Sequence, residues 1–324
     1  MRTISHSSFE KLDQWIARLE ELHSAPQIAR RVMAITRDTD FDLGEVVDCL
    51  KSDPALSAKI LRVVNSSHFG VRREVASVRQ AVTLMGQRCL RLVLMTFSLI
   101  DALTSGAGQR VYRHYWRRAV TMAAVASRLT ARCRDIEQDD SYSAGLLADL
   151  GVLVLAQLEG TRYLDLYEKT PHGPDLIKEE RREFGFGHPE VASRLLNQWE
   201  FPPALILAVN HHHEDRVEAT PLESAVHAAD LMADALWTPH SPNVKRARTL
   251  LEQRFHINID GFIEMALALK EDVEDECELF NVHLERPLNC RALVQEARRQ
   301  QFDIALEDAA DLDSFESIVS DHSV

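Results

Sequence analysis

The feature that most constrains the fold is an apolar spacing of three and four residues that recurs along nearly the whole chain. It begins with Phe9, Leu12, Ile16 and Leu19, which fall on one face of a helix. No alternating pattern typical of a half-buried strand competes with it. Only 12 glycines and 11 prolines occur in 324 residues, and aromatic residues make up 6%, a composition that disfavours turn-rich sheets. The sequence therefore predicts an all-α protein.

Capping residues mark several helix starts. Asp42 is followed three residues later by Glu45, and Ser52-Asp53-Pro54 combines polar caps with an early proline, both of which suit a first helical turn. The stretch from Cys89 to Ile100 is expected to be a buried helix, because its apolar residues cover most of the helix circumference. Further helices are predicted over 110–134, 141–158, 161–169, 174–184, 189–199, 203–213 and 222–236.

Charge and cysteine content narrow the possible partners and compartment. The chain has 37 Lys and Arg against 50 Asp and Glu, a net charge of -13, which makes nucleic acid and anionic membranes poor electrostatic partners. The five cysteines include no Cys-x-x-Cys pair and are interpreted as reduced thiols. The longest apolar stretch, Leu92 to Ile100, is about half the length needed to cross a bilayer. We expect a soluble, cytoplasmic protein.

One set of polar residues could carry chemistry. It consists of Asp149, His188, the run His211–His213 and Asp230, whose nitrogen and oxygen atoms suit Zn, Mn or Fe. A helical bundle can bring such side chains together from distant positions. With 14 histidines in the chain, chance groupings are expected, so capping and surface histidines are the alternative. The sequence has no phosphate-binding loop, nucleophile elbow or His-Glu-x-x-His motif.

A long motif adds a family resemblance. The segment Ser52-Asp-Pro-Ala-Leu-Ser-Ala-Lys-Ile-Leu-Arg-Val-Val-Asn-Ser-Ser-His-Phe-Gly70 resembles the signature of the HDOD domain, a bacterial signalling module related to the HD superfamily of metal phosphohydrolases. The resemblance covers residues from about 16 to 280. It continues through Ala81–Gly86, Tyr115–Arg118, Ala144–Gly151, Gly187–Trp199, His212–Glu214 and Ala229–Asp230.

The resemblance implies a vestigial HD site. Catalytic HD enzymes hold a metal with a first histidine, a His-Asp pair and a later aspartate, and two of those histidines are replaced here. Other histidines of this chain resemble those that HD-GYP cyclic di-GMP phosphodiesterases add, but the Gly-Tyr-Pro sequence is missing. No catalytic residue is assigned and no cofactor is expected, although a divalent Fe, Mn or Zn ion stays an open alternative. The implied site consists of Arg118, Ala148, Asp149, His188, His212, His213 and Asp230.

Two local hypotheses have competing interpretations. The guanidinium of Arg118 is permanently charged and matches a carboxylate in shape, so we expect it to pair with Asp149 or Asp230 and to replace the metal structurally. The alternative is that Arg118 points to solvent from its helix. The segment Asn65–Ser67 is expected to cap a helix that ends near Gly70, with a role in binding a ligand or partner as the alternative.

The domain prediction has four parts. Residues 1–15 form an N-terminal extension and 16–108 an N-terminal helical lobe. Residues 109–284 form a second lobe, an HD-like helical bundle with following helices, that packs on the first. Residues 285–324 form an acidic tail, whose amphipathic pattern allows a partner helix but is better explained by a frayed, solvated end.

Three functions from different classes follow. The resemblance favours a non-catalytic signal-transduction module that binds a protein or nucleotide ligand, with signalling proteins of a cyclic di-GMP or two-component network as partners. The alternative is a metal-dependent phosphohydrolase or cyclic-dinucleotide phosphodiesterase that uses the remnant ligands. A regulator acting at nucleic acid is disfavoured by the acidic net charge. The sequence leaves the upstream input and the oligomeric state open.

Overall fold

The protein is helical throughout the part that the computed structural model describes, which comprises residues 12, 14–15, 31–32, 34–36, 41–65, 71, 73–104, 109–131, 138–279 and 288–303. No strand occurs among these residues, so the all-α prediction is confirmed. Residues 290–303 are helical as well. The helices with defined bounds are α1 (Leu43–Lys51), α2 (Pro54–Asn65), α3 (Val78–Thr104), α4 (Gln109–Thr130), α5 (Gln138–Leu147), α6 (Leu150–Glu159), α7 (Thr161–Lys169), α8 (Pro174–Phe184), α9 (His188–Gln198), α10 (Pro203–Asn210), α11 (Pro221–Trp237), α12 (Asn243–Phe255) and α13 (Ile259–Leu279).

The capping residues act as the sequence predicts. The side chain of Asp42 accepts a hydrogen bond of 2.6 Å from the N–H of Gly44 at the start of α1. Asp53 accepts one of 3.0 Å from Leu56 at the start of α2. Each carboxylate satisfies an N–H group that has no partner within its helix.

Turns interrupt one predicted helix and shorten another. The helix predicted over 141–158 is two helices, α5 and α6, separated by a turn at Ala148 and Asp149. The helix predicted over 203–213 ends at Asn210, so His211–His213 form a turn. Both turns carry polar side chains whose tertiary contacts outweigh the local preference for helix.

The helices fall into two compact units, of which residues 1–230 with 271–285 form the first. Within it α4 packs on α5, and α6 packs on α9. A Cβ atom on Gly145 would lie 2.6 Å from the carbonyl oxygen of Met122, and one on Gly151 would lie 2.0 Å from that of His188. Glycine is needed at both positions because the backbones approach so closely. These contacts bring α4, the α5–α6 turn and α9 together.

The same unit contains the apolar stretch that the sequence predicts to be buried. It lies in α3, after a kink at Gly86 where φ is 71°, and Leu90, Leu94 and Phe97 are buried. Nearby, the side chain of Asn65 donates to the carbonyl of Val75 and accepts from its N–H, at 2.9 and 2.7 Å. Asn65 therefore fixes the chain before α3, while Ser66, Ser67 and Gly70 lie outside the described residues.

Residues 231–270 and 286–324 form the second unit. Its core includes Val244, Leu251, Phe262 and Leu293, all of which are buried. The tail from 304 to 324 lies outside the described residues. The predicted boundaries at 15, 108 and 284 stay predictions.

Among the described residues, one stretch, Asp140–Glu159, is long and apolar enough to be a candidate membrane span, with a mean hydropathy of 1.4. Of its most apolar window, 89% is buried inside the fold.

Candidate functional site

A buried arginine lies between two carboxylates at the centre of the first unit. Arg118, on α4, is 3% exposed. Its Nε donates to Oδ2 of Asp149 at 2.8 Å, and its Nη2 donates to Oδ1 of Asp230 on α11. The expected pairing is therefore present with both aspartates, and the alternative of a solvent-facing Arg118 is wrong.

Asp149 has one oxygen that Arg118 does not use. The carboxylate lies in the α5–α6 turn, and its Oδ1 is buried without a hydrogen-bond partner. Three imidazole nitrogens surround this oxygen, the Nε2 atoms of His212, His172 and His188, at 3.3, 3.6 and 3.8 Å. The buried Nε2 atoms of His212 and His172 also have no hydrogen-bond partner. Unpaired polar atoms this deeply buried are uncommon and call for an explanation.

Each of three buried histidines is oriented through its Nδ1 atom. Nδ1 of His188 lies 2.8 Å from Glu180, and that of His213 lies 2.8 Å from Asp230. Nδ1 of His212 lies 2.7 Å from the carbonyl oxygen of Val209. A ring that donates Nδ1–H to an oxygen presents Nε2 on its other side. The three Nε2 atoms therefore face a common space beside Asp149.

Glu180 is the anchor of His188. This fully buried carboxylate on α8 accepts from both the backbone N–H and Nδ1 of His188, and from the hydroxyl of Tyr163 at 2.6 Å. Three donors compensate the cost of burying the charge. The result is a fixed position and tautomer for His188 at the start of α9.

The pKa values of the two aspartates and of Arg118 are shifted in the directions that keep all three groups charged. Burial opposes ionisation of Asp149, but the guanidinium of Arg118, with His172 and His212, holds its pKa well below the usual range. Burial likewise opposes ionisation of Asp230, and His213 and Arg118 hold its pKa low. Despite its burial, Arg118 has a raised pKa because of the two aspartates. The site is thus a buried, charged triad.

The histidines differ from one another in protonation. Burial lowers the pKa of His213 from 6.5 to about 3, and burial together with Arg118 lowers that of His172. Burial also disfavours the charged form of His188, but the Glu180 carboxylate outweighs it and raises the pKa. Nε2 of His188 lies 3.1 Å from Nε2 of His213, a contact that needs one proton between the two nitrogens. His188 is the donor that these shifts favour.

The donor set fits a divalent transition metal. One ligand atom each from Asp149, His188, His212 and His213 lies within 4.8 Å of the others. Nε2 of His188 lies 3.1 Å from Nε2 of His213 and 3.8 Å from Oδ1 of Asp149, and Nε2 of His212 lies 3.3 Å from that oxygen. Neighbouring ligands in a tetrahedral centre with bonds of about 2.0 Å are roughly 3.3 Å apart. Oriented imidazoles are typical of metal-binding histidines. The buried cluster could therefore bind a metal.

Most of the predicted site residues meet in this cluster, but Ala148 and His211 add no ligand atom to it. Ala148 is buried beside Asp149 but offers no donor atom. His211 turns away and contacts Glu223 at 2.7 Å. The predicted residues that lie together are Arg118, Asp149, His188, His212, His213 and Asp230.

Sequence reasoning misses two residues of the site. Glu180 falls on the apolar face of α8, four residues after Leu176 and four before Phe184, and an acid on such a face is the signal that could identify it. His172 lies in the Pro171–Pro174 loop. No periodicity assigns a direction to a loop side chain, so only the structure reveals its place.

Comparison with known proteins identifies the family and the fold. The HDOD domain family model matches residues 22–215. A candidate phosphohydrolase of Shewanella amazonensis is 18% identical, with a TM-score of 0.65 over 85% of this chain and 98% of its own. An HDOD domain protein of Geobacter sulfurreducens is 22% identical, with a TM-score of 0.57 over 82% of this chain and 98% of its own. At these identities the likeness establishes the fold.

A further relative is known from sequence. An uncharacterised protein of Treponema pallidum (strain Nichols) is 27% identical over 204 residues, which make up 60% of this chain and 38% of that protein. The chain thus spans well under half the length of this curated relative. The helical fold and the buried Asp and His cluster define an HD-like domain. With its family model matching more than half of the sequence, the chain belongs to the HDOD family.

Proposed function

We propose that the chain is a non-catalytic signal-transduction module that acts by binding a protein or nucleotide partner. The observation that carries the proposal is the bridge from Arg118 to both Asp149 and Asp230. An HD-type hydrolase uses these carboxylates to hold a metal, whereas here a fixed internal cation bridges them. The site then serves as structural support for a binding surface.

Hydrolysis makes demands that these residues meet poorly. A metal that activates water needs a firm set of protein ligands and an open coordination position. The positions that match the first histidine and the His-Asp histidine of HD enzymes carry Arg118 and Ala148. The guanidinium occupies one oxygen of each aspartate, so fewer donor atoms are left to hold an ion.

The alternative is a metal-dependent phosphohydrolase. It is favoured by the unpaired Oδ1 of Asp149 and Nε2 of His212, which would hold a divalent ion together with His188 and His213. Such an ion would supply a Lewis acid. The chain's own contribution would be orientation, because Glu180 and Asp230 fix His188 and His213.

Signalling proteins of a cyclic di-GMP or two-component network are the partners we propose, in the cytoplasm. A fold neighbour from Marinobacter aquaeolei, 21% identical with a TM-score of 0.58, is described as a candidate signal transduction protein. The net charge of -13 argues against nucleic acid as the partner.

Metal analysis combined with a hydrolysis assay tests the proposal. The full chain, purified without chelator and supplemented with Fe²⁺, Mn²⁺ or Zn²⁺, is assayed on cyclic dinucleotides and nucleotides. We expect no turnover above that of the Asp149→Asn variant, which removes one of the candidate ligands. Turnover that Asp149→Asn abolishes would contradict the proposal and establish the hydrolase.

A further inference from the structure

We infer that His172 is a metal-binding residue, a donor from the α7–α8 loop that completes the coordination of a divalent transition-metal ion held by Asp149, His188, His212 and His213. His172 belongs to none of the motifs of the family resemblance. The inference rests on the proposed function and deepens it. It names a divalent metal ion as a regulator that binds at the same site without creating a catalytic centre.

The first argument is the direction of the His172 ring. Its Nε2 atom is buried, has no hydrogen-bond partner, and lies 3.6 Å from the equally unpaired Oδ1 of Asp149. A ligand atom of His172 also lies within 4.8 Å of ligand atoms on His213 and Asp230. Ligand-type atoms that converge on one buried space without pairing are what a bound cation requires.

The second argument is that neighbouring aromatic rings hold the His172 ring in place. The rings of His114 and Tyr167 lie 5.6 and 6.0 Å from that of His172, and the Tyr167 hydroxyl is hydrogen-bonded to Nδ1 of His114. On its inner side, His172 lies 5.7 Å from His188 and 5.6 Å from His213, measured between ring centres. The His172 ring therefore packs against the His114–Tyr167 pair as well as the buried imidazoles of His188 and His213.

The third argument is charge. The hydrogen-bonded set contains three carboxylates, those of Asp149, Asp230 and Glu180, and a single guanidinium, that of Arg118, which contacts the two aspartates. With its imidazoles neutral, as metal ligands must be, the set carries two net negative charges. A divalent cation neutralises them, and nitrogen-rich ligands select Zn²⁺ or a similar transition metal over Mg²⁺ or Ca²⁺.

The loop that carries His172 contains a glycine with a left-handed backbone. Gly173, next to His172, has a φ of 103°, and a Cβ atom built on it would meet no atom within 4 Å. His172 would give a bound zinc ion a protein donor in addition to those of the buried cluster, and that donor would take a position that water could otherwise occupy. Binding of the ion would then fix the position of the α7–α8 loop. A partner could detect the bound metal through the position of this loop.

Metal titration of the chelator-treated full chain tests the inference, with Zn²⁺ for affinity and Co²⁺ for coordination. We expect His172→Ala to weaken Zn²⁺ binding about 10- to 100-fold and to intensify Co²⁺ absorption as the coordination number falls. His172→Cys retains a zinc ligand and should restore affinity, with a new thiolate-to-Co²⁺ band. The control is His240→Ala, at a histidine that is 79% exposed, and it should bind as the unmodified chain does.

Loop position provides a second measurement. Lys169, at the end of α7, is exposed, and Zn²⁺ should slow tryptic cleavage after it in the unmodified chain but not in His172→Ala. Equal affinity and identical Co²⁺ spectra in the unmodified chain and His172→Ala would overturn the inference. Failure of the unmodified chain to bind Zn²⁺ would overturn it too, but would leave the non-catalytic function standing. Hydrolysis by a chain whose metal binding depends on His172 would overturn the function alone.

Discussion

At the scale of single residues, the site depends on how one cation is distributed over two carboxylates. Arg118 gives Asp149 and Asp230 a shared partner, and the remaining oxygen of each faces imidazoles. Such a buried pair adds little net stability over an apolar replacement, but removing one member leaves a charge uncompensated. The geometry thus gives Asp149 and Asp230 a role as partners of Arg118 at a site where two histidine ligands of HD enzymes are missing.

The sequence predicts the identity of this pair but not its geometry. Arg118 is chosen by its place in the family motif and by the fixed charge of a guanidinium. Its partners lie 31 and 112 residues away, and helical periodicity carries no information over such separations. Glu180 and His172 stay hidden for the same reason, because what matters is which helix or loop lies opposite them.

At the scale of elements, the α8–α9 hairpin positions the histidine cluster. α8 ends at Phe184 and is followed by Gly185, whose φ is 95°, and the chain reverses so that Glu180 contacts His188. Trp15 packs on the hairpin, with its ring 5.1 Å from that of Phe186. Periodicity predicts α7 and α8 with the observed bounds, 161–169 and 174–184, because these helices are amphipathic and bounded by Gly and Pro. It misses the α5–α6 turn because both halves are apolar.

Gly151→Ala tests the contact between α6 and the start of α9. The new methyl group would lie 2.0 Å from the carbonyl oxygen of His188, and since both are tied to backbone, one helix must move. We expect overpacking to lower the free energy of unfolding by about 1–3 kcal/mol. Urea denaturation measures the change.

The control for this substitution is Gly261→Ala, near the start of α13. There the nearest atom to a new Cβ is a side-chain carbon of Ile257, at 3.0 Å, and alanine favours a helix over glycine. Stability should be unchanged or slightly raised. If Gly151→Ala behaves in the same way, the close approach of α6 and α9 is not a constraint on the site.

At the scale of the whole molecule, the all-α class follows from local signals repeated along the chain. Each amphipathic helix must bury its apolar face against another, so helical periodicity is enough to predict the class. The division into units is a different matter. It depends on which helices pack together, and the first unit combines residues 1–230 with 271–285, a discontinuous arrangement that no local pattern specifies.

The buried histidines predict that stability falls in mild acid. The pKa of His213 is lowered from 6.5 to about 3, and that of His172 is lowered as well. The unfolded chain therefore binds protons at these positions below about pH 6.5 that the native chain does not bind. Their stabilising contribution is complete above that pH and is lost as the pH falls. His188, whose pKa is raised, is protonated in both the native and the unfolded chain below about pH 6 and does not change this loss.

We expect a loss of about 1.4 kcal/mol per pH unit for each of these two histidines, His213 and His172, between about pH 6 and 4. Urea denaturation of the full chain in chelator measures this slope. His213→Gln should flatten it, whereas His240→Gln, at an exposed position, should not. A midpoint that stays constant over this range would show that the imidazoles are not buried in neutral form.

The free energy of unfolding of Arg118→Ala, measured by urea denaturation in chelator at neutral pH, tests most directly whether an internal cation holds this site together. The variant leaves Asp149 and Asp230 buried without their cation, and we expect a loss of about 3–5 kcal/mol. Arg162→Ala, at an arginine that is half exposed between Glu159 and Glu183, is the matched control and should leave the midpoint unchanged. A loss of less than about 0.5 kcal/mol for Arg118→Ala would contradict the account, because the guanidinium would then be an ordinary surface charge.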